Sequence, residues 1–182
     1  MTKVLLLDGN MKKGSLTELA LENVLGYIHT EIDDAEVGFI SLADIEVPLL
    51  TPGADVKEHD TMRRFHGIVE ATDAFVIAFP EYNGSIPGSL KNLLDHISPL
   101  KFRNKPVCFI ATAGSRYGGH GAIGHIRDIF NHMYARVLPC HTVVHKEDLI
   151  EKEVFNTILM GRFETMASYV AGETRLLGGD NT

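Results

Sequence analysis

The feature that most constrains this chain is an alternation of short apolar runs with segments of helical period. Residues 3–7, 37–41, 74–79, 107–112 and about 142–144 read as strands. Several of them lack the apolar–polar alternation of a half-exposed strand, which is expected when helices cover both faces. Between them, Leu16, Leu19, Ala20 and Leu25 share one helical face. So do Leu90, Leu93, Leu94 and Ile97, and so do Ala122, Ile126, Ile129, Phe130 and Met133. Strands joined by crossover helices make a parallel sheet, and right-handed crossovers put every loop that follows a strand on one sheet edge. The expectation is a three-layer α/β/α sandwich around a five-stranded parallel sheet in the order 2-1-3-4-5, one of the two common doubly wound solutions, with a ligand at that edge. A last helix is expected over about 151–177, stopped by Gly178 and Gly179, before a loose tail at 180–182. Residues 42–60 hold Pro48 and Pro52, show no clear period, and read as an irregular surface connection.

Composition narrows the function classes. A length of 182 residues fits one domain, 1–182. The net charge of −7, with no run of Lys and Arg, argues against a nucleic-acid partner. The longest apolar stretch, 74–79, is far below the roughly 18 residues of a membrane span. Only Val4 to Leu7 are apolar before Asp8, short of the about 7 to 15 residues of a signal-peptide core, so a cytoplasmic protein is expected. The two cysteines, Cys108 and Cys140, form no metal or redox spacing and read as ordinary reduced thiols. His120 with His125, and His141 with His145, lack Cys or carboxylate ligands at metal-site spacing, so no metal is expected.

Three loops on the expected ligand edge carry the chemistry. After the first strand, Asp8-Gly9-Asn10-Met11-Lys12-Lys13-Gly14-Ser15-Leu16-Thr17 leads into an amphipathic helix. Unpaired N–H groups and the positive helix end suit a phosphate there, with the Ser15 and Thr17 hydroxyls and Lys12 or Lys13 to assist. The loop is neither a Walker A motif nor Gly-x-Gly-x-x-Gly, and Ser15 to Glu18 also reads as a capping box that needs no ligand. The third strand ends in Pro80-Glu81-Tyr82-Asn83-Gly84-Ser85-Ile86-Pro87-Gly88, where Tyr82 can flank a flat ligand and Asn83 can donate and accept hydrogen bonds. A plain strand-to-helix turn explains Gly84 and Pro87 equally well. The fourth strand leads into Ala113-Gly114-Ser115-Arg116-Tyr117-Gly118-Gly119-His120-Gly121, whose glycines permit a close backbone approach or a mobile loop. Ser85, Asp95 and His96 include triad residue types, but Gly84 to Gly88 is not a hydrolase nucleophile elbow.

At these loops the chain resembles the NADPH-dependent FMN reductase family of flavodoxin-like proteins, most closely its azoreductase and quinone reductase branch. The family's first loop aligns with Gly9 to Thr17. Its second loop matches Pro80, Glu81, Tyr82, Asn83, Ser85, Pro87, Leu90, Lys91, Asn92 and Asp95, which are ten positions within sixteen residues. The third resembles the branch's Ala-Gly-x-x-x-Gly-Gly, and the likeness runs to about Pro139. The resemblance implies non-covalent FMN, with NADPH or NADH as co-substrate and a homodimer or homotetramer as the assembly. It implies phosphate contacts from Gly9, Asn10, Lys12, Ser15 and Thr17, ribityl and ring contacts from Pro80, Glu81, Tyr82, Asn83 and Ser85, and pyrimidine-edge contacts from Gly114, Ser115 and Tyr117. Asn10 and Lys12 stand where the family has serine and arginine, and lysine lacks the planar fork of arginine. An aromatic residue often follows the family's aspartate, so His96 is expected at a subunit contact.

No side chain is expected to act as a nucleophile or other catalytic group, because a flavin carries the chemistry itself. The implied activity is hydride transfer from nicotinamide to FMN and then to a quinone, azo compound or free flavin, with ping-pong kinetics and a small-molecule acceptor. Arg116 or His120, in the loop beside the ring, is expected to meet the extra phosphate of NADPH. The rival readings are a flavodoxin-type electron carrier that never meets a nicotinamide, and a sensor or scaffold that has lost the cofactor.

Overall fold

The apolar runs of the three central strands form strands because their two faces are buried in different places. In β1 (Lys3–Asp8), Leu5 and Leu7 enter one core while Val4 and Leu6 enter the other. In β3 (Ala74–Pro80), Phe75, Ile77 and Phe79 separate in the same way from Ala74, Val76 and Ala78. In β4 (Pro106–Thr112), Val107, Phe109 and Ala111 separate from Cys108 and Ile110. A period of two with both faces apolar is what removes polar alternation from the sequence. The computed structural model describes residues 1–53, 59–151 and 154–179.

With β2 (Glu36–Ser41), β5 (Arg136–Val137) and β6 (Thr142–Val144), these strands form one parallel sheet in the order β2-β1-β3-β4-β5, with β6 also paired to β4. This is the expected flavodoxin-like order. The fifth position holds two short pieces in line, because the chain leaves the sheet between Val137 and Thr142. Helices α1 (Leu16–Glu31) and α5 (Thr157–Gly179) cover one face. Helices α2 (Asp60–Ala71), α3 (Gly88–Asp95) and α4 (His120–His132) cover the other. There Phe102 packs against Phe75 and Phe130 with ring centroids 5.1 and 5.0 Å apart, and Phe109 lies 5.2 Å from Phe130.

Three elements differ from the expectation. Helix α2 buries Met62, Phe65 and Val69 and begins where the irregular connection was expected to end. The last helix starts at Thr157, not near 151, because β7 (Leu149–Glu151) and β8 (Val154–Phe155) pair antiparallel. Phe155 is thereby buried 5.4 Å from Phe163, and the Leu159 amide donates to Asn156 Oδ1 at 3.0 Å at the helix start. Helix α5 continues through Gly178 and Gly179, and the tail 180–182 lies outside the described residues. No described helix is long and apolar enough to cross a membrane.

Candidate functional site

The carboxyl ends of β1, β3 and β4 bring the three loops to one edge, and hydrogen bonds stitch them together. The Gly9 amide donates to the Ala78 carbonyl at 2.7 Å, and the Glu81 amide donates to the Thr112 carbonyl at 2.7 Å. Loop one is therefore tied to the strand that feeds loop two. Loop two is tied in turn to the strand that feeds loop three.

Loop one is anchored by buried polar groups. Asp8, Asn10, Ser15 and Thr17 are all buried. Asp8 Oδ1 accepts from the Asn10 amide at 3.0 Å, and Ser41 Oγ donates to Oδ2 at 3.4 Å. Burial is the larger influence on this carboxyl and raises its pKa above the usual carboxylate value, against the lowering effect of the Asn10 amide and the Thr17 and Ser41 hydroxyls. Asn10 Oδ1 accepts from the Lys12 amide at 3.1 Å, and Asn10 Nδ2 donates to Thr17 Oγ1 at 3.3 Å. The Asn10 amide is thus already bonded to Asp8.

At the start of α1, Ser15 is the N-cap, and its Oγ accepts from the Glu18 amide at 3.2 Å. Ser15 Oγ and Thr17 Oγ1 lie 2.6 Å apart. The Glu18 carboxylate reaches back to the Gly14 amide at 2.6 Å, one residue before the cap. The expected capping box is present with its acidic half shifted by one residue. A carboxylate at this helix end shows that the loop presents N–H groups to an anion. Two buried hydroxyls beside an amide already holding an anion are a donor set that fits a phosphate. Lys13 forms an ion pair with Asp44 at the surface, and that pair raises its pKa.

Loop two closes on itself. Tyr82 and Ser85 exchange backbone hydrogen bonds at 2.9 and 3.1 Å around Asn83 and Gly84, whose φ values are 50° and 77°. Positive φ at both central positions is the two-residue turn that Asn-Gly favours. The turn holds Tyr82 out from the sheet, 55 % exposed, and Ser85 Oγ meets His125 Nδ1 of α4 at 2.9 Å. The Glu81 carboxylate lies so close over Gly118 that a Cβ there would sit 2.5 Å from Oε2.

Loop three is the most exposed of the three. Gly114, Ser115 and Arg116 are exposed, and Tyr117 is 95 % exposed. The Tyr117 amide donates to Ser115 Oγ at 3.2 Å, and the Gly118 amide donates to the Ser115 carbonyl at 2.9 Å. The loop ends at Gly119, where φ is 92° and a Cβ would collide with the Val143 side chain of β6. His120 opens α4 and is exposed.

The expected site residues thus come to one sheet edge: Gly9 to Thr17 at the α1 end, and Pro80 to Ser85 beside Gly114 to Tyr117. Loops two and three lie against each other at Glu81 and Gly118. A hollow of about 580 Å³ lies instead along α1, lined by Ser15, Glu18, Glu22 and Lys146 among others, and touches loop one alone. Asp8 has no site role in the sequence reading, Glu18 enters it only as part of a capping box and His125 only as a rejected metal ligand, and each acts through a contact made by the fold. His96 was expected at a subunit contact. It is instead buried within the chain, where its Nε2 lies 2.8 Å from the Pro48 carbonyl and Asn92 Nδ2 donates to the same oxygen.

Comparison with known proteins agrees with the resemblance read in the three loops. Residues 2–148 match the family model described as NADPH-dependent FMN reductase. The chain is 28 % identical over 142 residues to an NADPH azoreductase of Bacillus sp. strain OY1-2, covering 78 % of this chain and 76 % of that protein. It is 32 % identical over 130 residues to an NAD(P)H-dependent FMN reductase of Pseudomonas aeruginosa, covering 69 % and 67 %. Among solved structures, an oxidoreductase from Corynebacterium diphtheriae superposes with a TM-score of 0.77 at 20 % identity over 96 % of this chain and 97 % of that one. An azoreductase from Bacillus anthracis does so with a TM-score of 0.63 at 17 % identity, over 95 % and 100 %.

Proposed function

The chain belongs to the NADPH-dependent FMN reductase family, and on that premise we propose that it is an FMN-dependent NAD(P)H oxidoreductase acting on small quinone, azo or flavin acceptors. The observation that carries this reading is the buried Ser15–Thr17 hydroxyl pair at the α1 amino terminus, 2.6 Å apart, on the same sheet edge as loops two and three. The relatives named as FMN reductase and azoreductase support it.

When bound, FMN would supply the two-electron redox chemistry between nicotinamide and acceptor. The protein's own part is binding and orientation. Ser15, Thr17 and the amides around Gly14 hold the phosphate, the Lys12 side chain adds a cation, and Glu18 yields the Gly14 amide to that stronger anion. Gly9 and Asn10 shape the loop against β3. Pro80, Glu81, Tyr82, Asn83 and Ser85 would hold the flavin from loop two. Gly114, Ser115 and Tyr117 would hold it from loop three, whose amides would serve as donors to it. Arg116 or His120 takes the additional phosphate of NADPH. No side chain serves as a catalytic nucleophile.

Donor and acceptor take turns at the sheet edge beside loops two and three, hence ping-pong kinetics. The whole chain acts as one FMN-binding domain in the cytoplasm, assembled as a homodimer or homotetramer. Leu49 and Leu100, 75 % and 61 % exposed, are apolar groups suited to such contacts. The test is anaerobic addition of NADPH to the purified, FMN-loaded protein. Rapid bleaching of the flavin band followed by recovery on adding a quinone supports the reading, whereas a flavin that stays oxidised identifies an electron carrier. Arg116→Ala raises the KM for NADPH and leaves that for NADH unchanged; equal shifts in both would remove the assigned role.

A further inference from the structure

The sequence spacing of the two cysteines gives no hint of a pair, yet the fold brings Cys108 Sγ and Cys140 Sγ to 2.8 Å. We propose that Cys108 and Cys140 form a dithiol redox site, which a hydroperoxide converts into an intrachain disulfide. The sulfurs are free thiols in this structure, within an ångström of the about 2.05 Å of a bonded pair.

The sheet edge makes this juxtaposition. Val107 of β4 pairs with Val137 of β5, and Ile110 of β4 pairs with Thr142 of β6. Three steps along β4 are therefore matched by five along the neighbouring chain, from 137 to 142. The two extra residues bulge from the ladder, and such bulges re-aim side chains. Here the bulge holds Cys140 beside the strand position of Cys108, directly after Pro139.

The two thiols differ in the way a stepwise oxidation requires. Cys108 is fully buried in β4, whereas Cys140 keeps part of its surface. Burial pushes the Cys108 thiol well up, so it keeps its proton and donates to Cys140, whose pKa is lowered chiefly by that hydrogen bond. Cys140 is thus the reachable nucleophile and Cys108 the resolving partner.

In the first step the Cys140 thiolate attacks a peroxide oxygen, the O–O bond breaks, and the alcohol leaves with a solvent proton. Cys140 is now a sulfenic acid. In the second step the Cys108 sulfur attacks it, the S–S bond forms and the S–O bond breaks, and the Cys108 proton leaves with the hydroxyl as water. The dithiol has lost two electrons and two protons, and the hydroperoxide has become an alcohol and water. A thiol reductant reverses the change.

The test titrates the full-length protein, with any bound flavin, with cumene hydroperoxide. Thiols are then counted with a chromogenic disulfide under denaturing conditions, and the intact mass is measured. Both thiols are expected to vanish together, with the loss of two hydrogens from a monomeric chain and full recovery in dithiothreitol. Cys108→Ala should leave a dimedone-reactive sulfenic acid at Cys140, and Cys140→Ala should leave Cys108 unoxidised. Should Cys108→Ala not fold, the wild-type thiol count and Cys140→Ala still decide. Two thiols surviving peroxide that oxidises free glutathione, disulfide-linked dimers, or oxidation of Cys108 in Cys140→Ala would each overturn the proposal.

Discussion

Loop one and loop three leave the same sheet edge but are built in opposite ways. In loop one the side chains that face the helix end are buried and already bonded to one another, with Asp8 under Asn10, Asn10 on Thr17, and Ser15 on both Thr17 and Glu18. In loop three Gly114, Ser115, Arg116 and Tyr117 are exposed, and the backbone is held by short-range bonds to Ser115 and by the close approach of Gly119 to Val143. The difference teaches where preorganisation resides. Loop one has polar groups fixed by folding, while loop three leaves its side chains exposed to solvent.

The largest effect expected from this contrast is on the anchor. Replacing Ser15 and Thr17 together with alanine removes two hydrogen bonds to a charged group, worth roughly 1.5–3 kcal/mol each, so FMN should bind about 10²- to 10⁴-fold more weakly. Isothermal titration measures this, and a change below tenfold would break the comparison. Loss of the Ser15 cap should also cost about 1 kcal/mol of folding stability, read by urea unfolding. Gly119→Ala tests the close contact at the end of loop three. A left-handed φ costs a residue with a Cβ about 1–2 kcal/mol, and displacement of Val143 adds to it, so the urea midpoint should fall clearly.

A smaller effect, opposite in sign, is expected at Glu18. Glu18→Gln removes the charge that competes for the Gly14 amide, which at about 0.3–1 kcal/mol should tighten FMN binding some two- to fivefold. Asp8 gives a pH-dependent case. A carboxyl whose folded pKa is raised stabilises the fold below its unfolded pKa, near 3.8, and loses that stability as pH rises through the folded pKa. Asp8→Asn keeps an acceptor for the Asn10 amide and should therefore stabilise the protein at pH 7, with a gain that shrinks toward pH 3.8, as thermal melts across that range would show. The smallest effect on flavin affinity belongs to Tyr117→Ala. It should stay within about threefold for FMN because the ring is 95 % exposed, while the KM for acceptors changes.

The sheet was legible because an apolar run with no alternation has few other solutions, and the strand positions agree with their sequence reading within a residue or so. Helix α2 was less legible, since Met62, Phe65 and Val69 lie among charged and histidine residues after a proline-containing stretch. The β7–β8 pair reads as helix because its residues include good helix formers, whereas the start of α5 is marked by Asn156. The Asn83-Gly84 turn was also in the sequence, as the dipeptide that most favours positive φ at both central positions. What no local pattern could give were contacts between distant segments. Ser85 with His125, His96 with Pro48 and Cys108 with Cys140 are set by how helices and bulges pack on the sheet.

The most direct test of the anchor compares FMN with riboflavin, which differs only in lacking the phosphate. Fluorescence titration of the flavin-free protein should give FMN a Kd at least about 10²-fold below that of riboflavin, the gain of two or more charge-assisted hydrogen bonds at the α1 amino terminus. Equal affinity for the two flavins would contradict a phosphate held by Ser15, Thr17 and the Gly14 amide.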